Sequence, residues 1–166
     1  MAFIALFSAI ICILAPFSFN VGVIPITLGT FAVYLAGALL GSKKGVIAVA
    51  VYILLGAVGL PVFSGFNGGF GVLLGMTGGY IIGYIPMALL TGLFAEKRKK
   101  LLPVGMVLGT LACYVFGTAW FVISTGSALV PALELCVLPF LIGDAIKMIA
   151  VSAIAIPLKS RLDNII

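Results

Sequence analysis

The chain has 166 residues, of which 64% are hydrophobic and only 8% are charged. Soluble domains carry about 25% charged residues, so this composition excludes a soluble globular protein and predicts one integral membrane domain over residues 1–166. The sequence has no histidine and its three cysteines are widely spaced, which excludes histidine-based catalysis and predicts no metal site, no cofactor and no disulfide framework.

Six apolar stretches predict an all-α membrane bundle of six transmembrane helices. They cover residues 1–15, 28–41, 45–60, 78–95, 102–124 and 135–158. A vertical crossing of the hydrocarbon needs about 20 residues, so the first four stretches must extend into the adjoining loops. Loop backbone at membrane depth is stable only where protein buries it or where it lines a polar cavity. The short spans therefore indicate a cavity inside the bundle.

The basic residues support this count and orient the chain. Eight of the nine follow spans two, four and six, at Lys43 and Lys44, at residues 97–100, and at Lys159 with Arg161. Because cytoplasmic loops carry an excess of Lys and Arg, both termini are predicted to lie in the cytoplasm, and the net charge of +5 indicates topology rather than nucleic-acid binding. The first residues lack a basic region and a cleavage signature, so span one is not expected to be a cleaved signal peptide.

The predicted outer loops, at about residues 16–27, 61–77 and 125–134, are uncharged apart from Glu134. The stretch GLPVFSGFNGGFGVLLGMTGGYIIGY, residues 59–84, carries glycine at every fourth position from Gly71 to Gly83. This row favours close helix packing, and a main-chain wall that a ligand can approach is the alternative interpretation.

Asn67 and several aromatic residues lie in the same stretch. Asn67 precedes a glycine, which is typical of a turn, and such a turn can also present the amide to a ligand. The nearby rings are each more typical of a core than of a pocket. Together with an amide and no charge they suit a small, mostly apolar ligand with a polar head; they belong to Phe63, Phe66, Phe70 and Tyr80.

The last span contains FLIGDAIKM, residues 140–148, in which Asp144 and Lys147 share one helix face at spacing i, i+3. They lie about 9–14 Å along the helix from Leu138, at a depth where a charged side chain costs about 2.5–3.5 kcal/mol. One interpretation is a self-neutralising ion pair. Because a buried pair is weak evidence of stability, the pattern favours a second interpretation, a polar anchor for a bound solute. Asp144 can then accept N–H bonds from the solute, and Lys147 can donate to its carbonyl or carboxylate.

No catalytic motif accompanies these residues. The segment GALLGSKKG, residues 37–45, is one residue short of the glycine spacing of a phosphate loop, and the serines lack a nearby base. An enzyme is therefore not predicted.

Three segments resemble the BioY family, the biotin-specific substrate-binding subunits of energy-coupling-factor transporters. They are IPITLGTFAVYLAGALLGSKKG (residues 24–45), the glycine-rich stretch at 59–84, and GDAIKM (143–148). The chain departs from the family pattern at Gly29, where the family usually has glutamine, and at Met76, where it usually has proline.

The resemblance implies a compact S-component bundle in a prokaryotic cell membrane that binds biotin near its outer face. The implied lid is the first outer loop with Pro25 and Thr27. The implied partners are a transmembrane coupling protein and two ATPase subunits, docked on the small residues Ala2, Ala5 and Ala9 of span one. The candidate substrate-binding residues are Asp144, Lys147, Asn67, Tyr80, Phe63, Phe70, Gly68 and Gly69.

Two alternatives remain open. The same architecture could serve another small vitamin, or the chain could be a structural membrane protein in which Asp144 and Lys147 form only an ion pair. An intramembrane enzyme is disfavoured, because no nucleophile and base occur together.

Overall fold

The computed structural model describes residues 1–19 and 24–162, without the side chains of residues 135 and 160–162. Part of the first predicted outer loop, the Arg161 side chain and residues 163–166 thus lie outside the described chain. The described helices are α1 (Ala2–Leu14), α2 (Gly29–Val58), α3 (Phe70–Leu74), α4 (Gly78–Lys97), α5 (Leu102–Thr125), α6 (Leu129–Cys136) and α7 (Leu138–Leu162).

A small antiparallel hairpin joins α1 to α2. Its strands are β1 (Ser18–Phe19) and β2 (Ile26–Thr27), with Ser18 opposite Thr27. The hairpin is an addition to the predicted all-α architecture, because two-residue strands carry no periodicity that a sequence pattern can detect. Helix α6 is a second addition, which begins in the predicted third outer loop and ends at the start of the predicted sixth span.

Helix α2 reverses direction at Gly41. The φ of Gly41 is 82° and its ψ is −175°, a combination that is essentially restricted to glycine. A side-chain carbon at Gly45 would lie 3.1 Å from the Cα of Gly37, whereas residues eight apart in one straight helix are separated by about 12 Å. The two halves of α2 therefore pack against each other.

Glu96 of α4 caps the second half of α2. The main-chain N–H of Ser42 donates to Glu96 Oε1 at 2.8 Å, and the Ser42 hydroxyl donates to Oε2 at 3.0 Å. The first N–H groups of a helix lack partners within the helix. Because the chain reverses at Gly41, the Ser42 N–H has no helical acceptor, and the Glu96 carboxylate takes that place. This contact ties the turn of α2 to the end of α4.

Glycines hold α4 close to α5. A side-chain carbon at Gly83 would lie 3.1 Å from the Cα of Cys113, and one at Gly79 would overlap Trp120. Gly75 is extended and separates α3 from α4. The glycine row thus splits: its second half packs helices closely, and its first half lies in α3 and a turn.

The described chain has the length and composition of a membrane protein. By these criteria four helical segments can cross a bilayer, at Gly29–Val58, Gly78–Lys97, Lys99–Thr125 and Leu129–Lys159, and the shorter Ala2–Leu14 is also apolar. The outward face of α7 carries exposed isoleucines, with Ile142 74% and Ile149 71% exposed. Such an apolar exterior around a packed interior is what a bilayer requires.

Candidate functional site

The charged pair of α7 faces the protein interior. Asp144 is 3% exposed and Lys147 is 9% exposed, opposite the isoleucine face of the same helix. Lys147 Nζ lies 3.1 Å from Asp144 Oδ1. The pair is therefore turned away from lipid, where an unpaired charge would be most costly.

Lys147 also binds the segment that precedes and opens α2. Its Nζ donates to the main-chain oxygen of Thr27 at 2.8 Å and to Thr30 Oγ1 at 2.9 Å. Together with Asp144 this gives the ammonium group three acceptors, as many as it has protons. The bonds connect α7 to β2 and to the first turn of α2.

Tyr114 of α5 completes the surroundings of the carboxylate. Its hydroxyl donates to Asp144 Oδ2 at 2.6 Å, while Lys147 holds the other oxygen. Tyr114 was not among the residues predicted from the sequence. The signal was present, since Tyr114 lies on the face of α5 that carries Gly117 and Thr118, the small residues typical of close helix packing.

Two adjoining cavities lie beside this network. A small one of about 40 Å³ is lined by Asp144 and Lys147, which leaves room for a few water molecules at most. A larger cavity of about 210 Å³ adjoins it. The residues that line both are Ile24, Pro25, Thr27, Tyr80 and Tyr84.

The larger cavity carries uncommitted polar groups. Ser64 Oγ is buried there without a hydrogen-bond partner among the described residues. Tyr52 and Tyr84 also line this cavity, and their hydroxyls form no hydrogen bond to the described residues. A buried polar group without a partner is destabilising, so these hydroxyls are available to a solute or to water. None of the three was a candidate in the sequence analysis.

Three of the other predicted binding residues line the larger cavity, namely Asn67, Tyr80 and Phe63. Asn67 Nδ2 donates to the main-chain oxygen of Ser64 at 2.8 Å, as expected of a turn. Tyr80 OH donates to the main-chain oxygen of Cys136 at 3.3 Å. Phe63 is fully buried and packs edge-on against a neighbouring tyrosine ring.

Phe70, Gly68 and Gly69 lie elsewhere. The Phe70 ring is 63% exposed, and none of the three residues lines either cavity. Gly69 has a φ of 100° and its N–H donates to Gly56 O at 2.7 Å. A side chain at Gly68 would overlap the main chain at Leu60. Both glycines therefore serve the turn that follows α2.

The segment that contains β2 forms part of the wall of both cavities. Pro25 and Thr27 line both of them, and the Thr27 hydroxyl donates to Ala15 O at 2.7 Å while accepting from Gly29 N–H at 2.8 Å. The bonds anchor β2 between the end of α1 and the start of α2.

The three alanines proposed for docking lie on an exposed face of α1. Ala2, Ala5 and Ala9 are exposed, whereas Phe7 and Ile11 on the other side are buried. The Ser8 hydroxyl donates to Ala48 O and fixes α1 against α2. Among the described residues, no group of three His, Cys, Asp or Glu side chains could hold a metal ion.

The comparisons identify the family of this chain. The BioY family model matches residues 1–164. A probable biotin transporter of Pyrococcus horikoshii is 38% identical over 161 residues, which cover 97% of this chain and 94% of the relative. A biotin transporter of Thermotoga maritima is 41% identical over 148 residues, which cover 88% and 78%.

A solved structure gives the same answer for the fold. The S-component for biotin from an ECF-type ABC transporter superposes with a TM-score of 0.87 at 30% identity, covering 96% of this chain and 89% of the other. These relatives are transport proteins and not enzymes. With a family model matched over nearly its whole length and an S-component fold, this chain is a multi-pass membrane protein that belongs to the BioY family.

Proposed function

We propose that this protein is the membrane-embedded subunit that captures biotin with high affinity from the outer side for an ATP-driven importer. The observation that carries the proposal is the buried Asp144 and Lys147 pair, which lines a cavity beneath the hairpin. The relatives' names and the S-component fold supply the identity of the solute.

Biotin matches the polar groups of the cavities. Its ureido ring has two N–H donors and a carbonyl acceptor, which suit a carboxylate and an ammonium group. Its sulfur ring and aliphatic chain are apolar and suit the walls formed by Phe63 and Tyr80. The hydroxyls of Ser64, Tyr52 and Tyr84 are further polar partners in the larger cavity.

The network around Lys147 must open before biotin reaches the pair. The cavity beside Asp144 is too small for the ureido ring, and Lys147 already has three partners. An outward shift of the hairpin would join the two cavities and release the bond from Lys147 to Thr27 O. The ligand then replaces Thr27 as the acceptor, so the hairpin acts as a lid.

The proposed topology has six spans with both termini in the cytoplasm. The spans are α1, the two halves of α2 on either side of Gly41, α4, α5 and α7. Basic residues then lie at the inner ends of the second, fourth and sixth spans, as the positive-inside rule expects. The hairpin and α3 face outward in this orientation, in the cell membrane of a prokaryote.

Transport requires the partners of an S-component. We infer docking on a transmembrane coupling protein that is powered by two ATPase subunits. Ala2, Ala5 and Ala9 offer an exposed face of α1 on which a helix backbone can approach closely. Reorientation of the docked subunit would release biotin inside.

Calorimetric titration of the purified chain with biotin tests the proposal. We expect saturable binding of one biotin per chain, and biotin in the protein purified from cells. Other small vitamins are titrated in parallel. Absence of heat and of any thermal shift at submillimolar biotin would reject the proposal, and tight binding of another vitamin would reassign the ligand.

A further inference from the structure

The hairpin between α1 and α2 has one polar face and one apolar face. Ser18 lies opposite Thr27, which lines both cavities, so this face of the hairpin points inward. The pairing continues to Phe17, whose main-chain oxygen accepts from the Leu28 N–H at 3.1 Å. Phe17 and Phe19 flank Ser18 and point to the other side, because successive side chains of a strand alternate. Their rings are 51% and 70% exposed, whereas a ribbon that borders water usually carries polar residues on its outer face.

A ring from a distant part of the chain joins this apolar face. Phe66 is 60% exposed and packs edge-on against Phe17, with ring centroids 5.6 Å apart. The Gly65 N–H donates to the main-chain oxygen of Pro16 at 3.0 Å, which holds the two segments side by side. The residues that we call the apolar patch are Phe17, Phe19, Leu28 and Phe66.

The main chain holds Phe66 in a conformation that bulky residues rarely adopt. Its φ is 60°, in the left-handed region, where a residue with a large side chain is strained. Two hydrogen bonds maintain the turn: the Phe63 N–H donates to Asn67 O at 2.9 Å, and Asn67 Nδ2 donates to Ser64 O at 2.8 Å. Because most of the Phe66 ring is exposed, this strain brings little packing within the protein. The fixed outward position indicates a partner outside the fold.

The sequence around the patch excludes a partner that binds by charge. Residues 1–42 and 45–95 contain no Asp, Glu, Lys or Arg. An anionic headgroup or a charged protein segment would therefore find no opposite charge near the patch. Exposed apolar surface of this kind marks a contact with another apolar surface, either lipid acyl chains or a second copy of the chain.

The level of the patch in the membrane can be measured from the opposite end of the bundle. The Ser8 hydroxyl donates to Ala48 O, and both residues lie about 9 Å from the start of their helices. Helix α1 and the second half of α2 therefore begin at the same level. Lys43 and Lys44 lie at that level and are exposed. Because exposed ammonium groups avoid hydrocarbon, they mark one surface of the membrane.

Neither helix is long enough to carry the patch across the bilayer. Helix α1 has 13 residues and spans about 20 Å, and the second half of α2 ends at Val58 after about 25 Å. The hydrocarbon is about 30 Å thick. Phe17 lies just beyond the end of α1, and the exposed Ile13, one turn before it, continues the same apolar surface. The patch therefore lies at the depth of the acyl chains, which favours lipid.

We propose that the apolar patch faces the acyl chains of the leaflet at the hairpin end of the bundle. The hairpin, whose β2 segment lines both cavities, then lies within the membrane rather than above it. The partner is lipid hydrocarbon, and the headgroup takes no part in recognition. Any movement of the hairpin away from the bundle must displace acyl chains. The proposal depends neither on the identity of the solute nor on which side of the membrane the hairpin occupies.

Spin labels on the full chain in phosphatidylcholine bilayers test the proposal. In a chain whose native cysteines are replaced by alanine, Phe17→Cys and Phe66→Cys place labels in the patch. Ile149→Cys, on the exposed face of α7, is the hydrocarbon reference, and Lys100→Cys is the water reference. Power saturation measures collisions with oxygen, which concentrates in hydrocarbon, and with a water-soluble nickel complex. At positions 17 and 66 we expect nickel collisions several-fold lower than at position 100, and oxygen collisions close to those at 149.

Two results would overturn the proposal. Nickel collisions at positions 17 and 66 as frequent as those at position 100 would place the patch in water, as a locally thinned bilayer would do. Weak collisions with both reagents would show that protein covers the patch. Dipolar broadening between labels of different copies would then identify a second copy as that protein.

Tryptophan variants repeat the measurement with an apolar probe. The chain has one tryptophan, so Phe17→Trp or Phe66→Trp in a Trp120→Phe chain gives a single reporter in the patch. Lipids brominated on their acyl chains should quench both reporters and leave Lys100→Trp in the same background unquenched. Cooperative thermal unfolding in detergent shows that each variant is folded. Folded variants that are not quenched at positions 17 and 66 would contradict the proposal.

Discussion

Each oxygen of the Asp144 carboxylate has its own donor, and this arrangement predicts the effect of removing the charge. Asp144→Asn keeps the size of the side chain but loses charge-assisted bonds, which are worth about 1.5–3 kcal/mol each. We expect biotin affinity to fall about 10- to 100-fold, measured by calorimetry. Lys147→Ala should act in the same direction. Unchanged dissociation constants for biotin in both variants would show that the pair is not part of the binding site.

The Tyr114 hydroxyl should matter less, and only through Asp144. Tyr114→Phe deletes one of the charge-assisted bonds to this carboxylate, worth about 1.5–3 kcal/mol. Because that bond acts on biotin only indirectly, we expect a smaller loss of biotin affinity, about fivefold. Tyr34→Phe is the matched control, because the Tyr34 hydroxyl bonds to Thr110 and does not line the outer cavities. The control should lower the melting temperature without changing affinity. Equal affinity losses in the two variants would mean that Tyr114 has only a structural role.

At the scale of the element, the reversal of α2 depends on one glycine. Gly41→Ala places a side chain at a φ of 82°, and its carbon would overlap Glu96 Oε1. We expect a loss of about 1–3 kcal/mol in the free energy of unfolding, visible as a lower melting temperature in detergent. Gly71→Ala, where an added carbon meets no atom within 4 Å, serves as the control. A stable Gly41 variant would contradict the role of this turn.

Helix α1 allows docking to be separated from capture. Ala5→Leu fills the exposed small-residue face of α1, and we expect it to abolish copurification with the coupling subunits and biotin uptake by cells. Biotin binding by the isolated chain should be unchanged. Ile142→Phe enlarges an exposed residue on α7 instead and should leave assembly intact. Normal assembly of the Ala5 variant would show that the coupling subunits dock on another surface.

At the scale of the molecule, the six-span topology predicts which surfaces face outward. In a chain whose native cysteines are replaced by alanine, Phe70→Cys and Lys100→Cys each introduce one exposed thiol. A membrane-impermeant thiol reagent should label position 70 on intact cells, and position 100 only after permeabilisation. Labelling of position 100 on intact cells would place the basic clusters outside and reverse the orientation.

Much of the architecture could be predicted because it depends on local chemistry. Apolar runs mark the long helices, and Gly41 separates two predicted spans where the structure reverses the chain. Membership of the BioY family, predicted from three motifs, is confirmed. That Asp144 and Lys147 share one helix face also followed from their spacing, since a helix brings residues three apart together.

What could not be predicted depends on packing between distant segments. Tyr114 and Thr30 reach Asp144 from positions 30 and 114 residues away along the chain, and no local pattern relates them. Phe70 was a candidate because it lies close to Asn67 in sequence, but α3 turns its ring outward. The hairpin and α6 were missed because short elements leave little periodic signal.

The bond from Lys147 to Thr27 has a consequence for redesign. Its acceptor is the peptide oxygen of Thr27, which every amino acid possesses, so exchanging the side chain at that position reshapes the wall of both cavities without deleting the acceptor. Serine would also retain the hydroxyl that anchors the strand to Ala15. Position 27 is thus a place where selectivity could be evolved in the laboratory while the charged anchor stays intact.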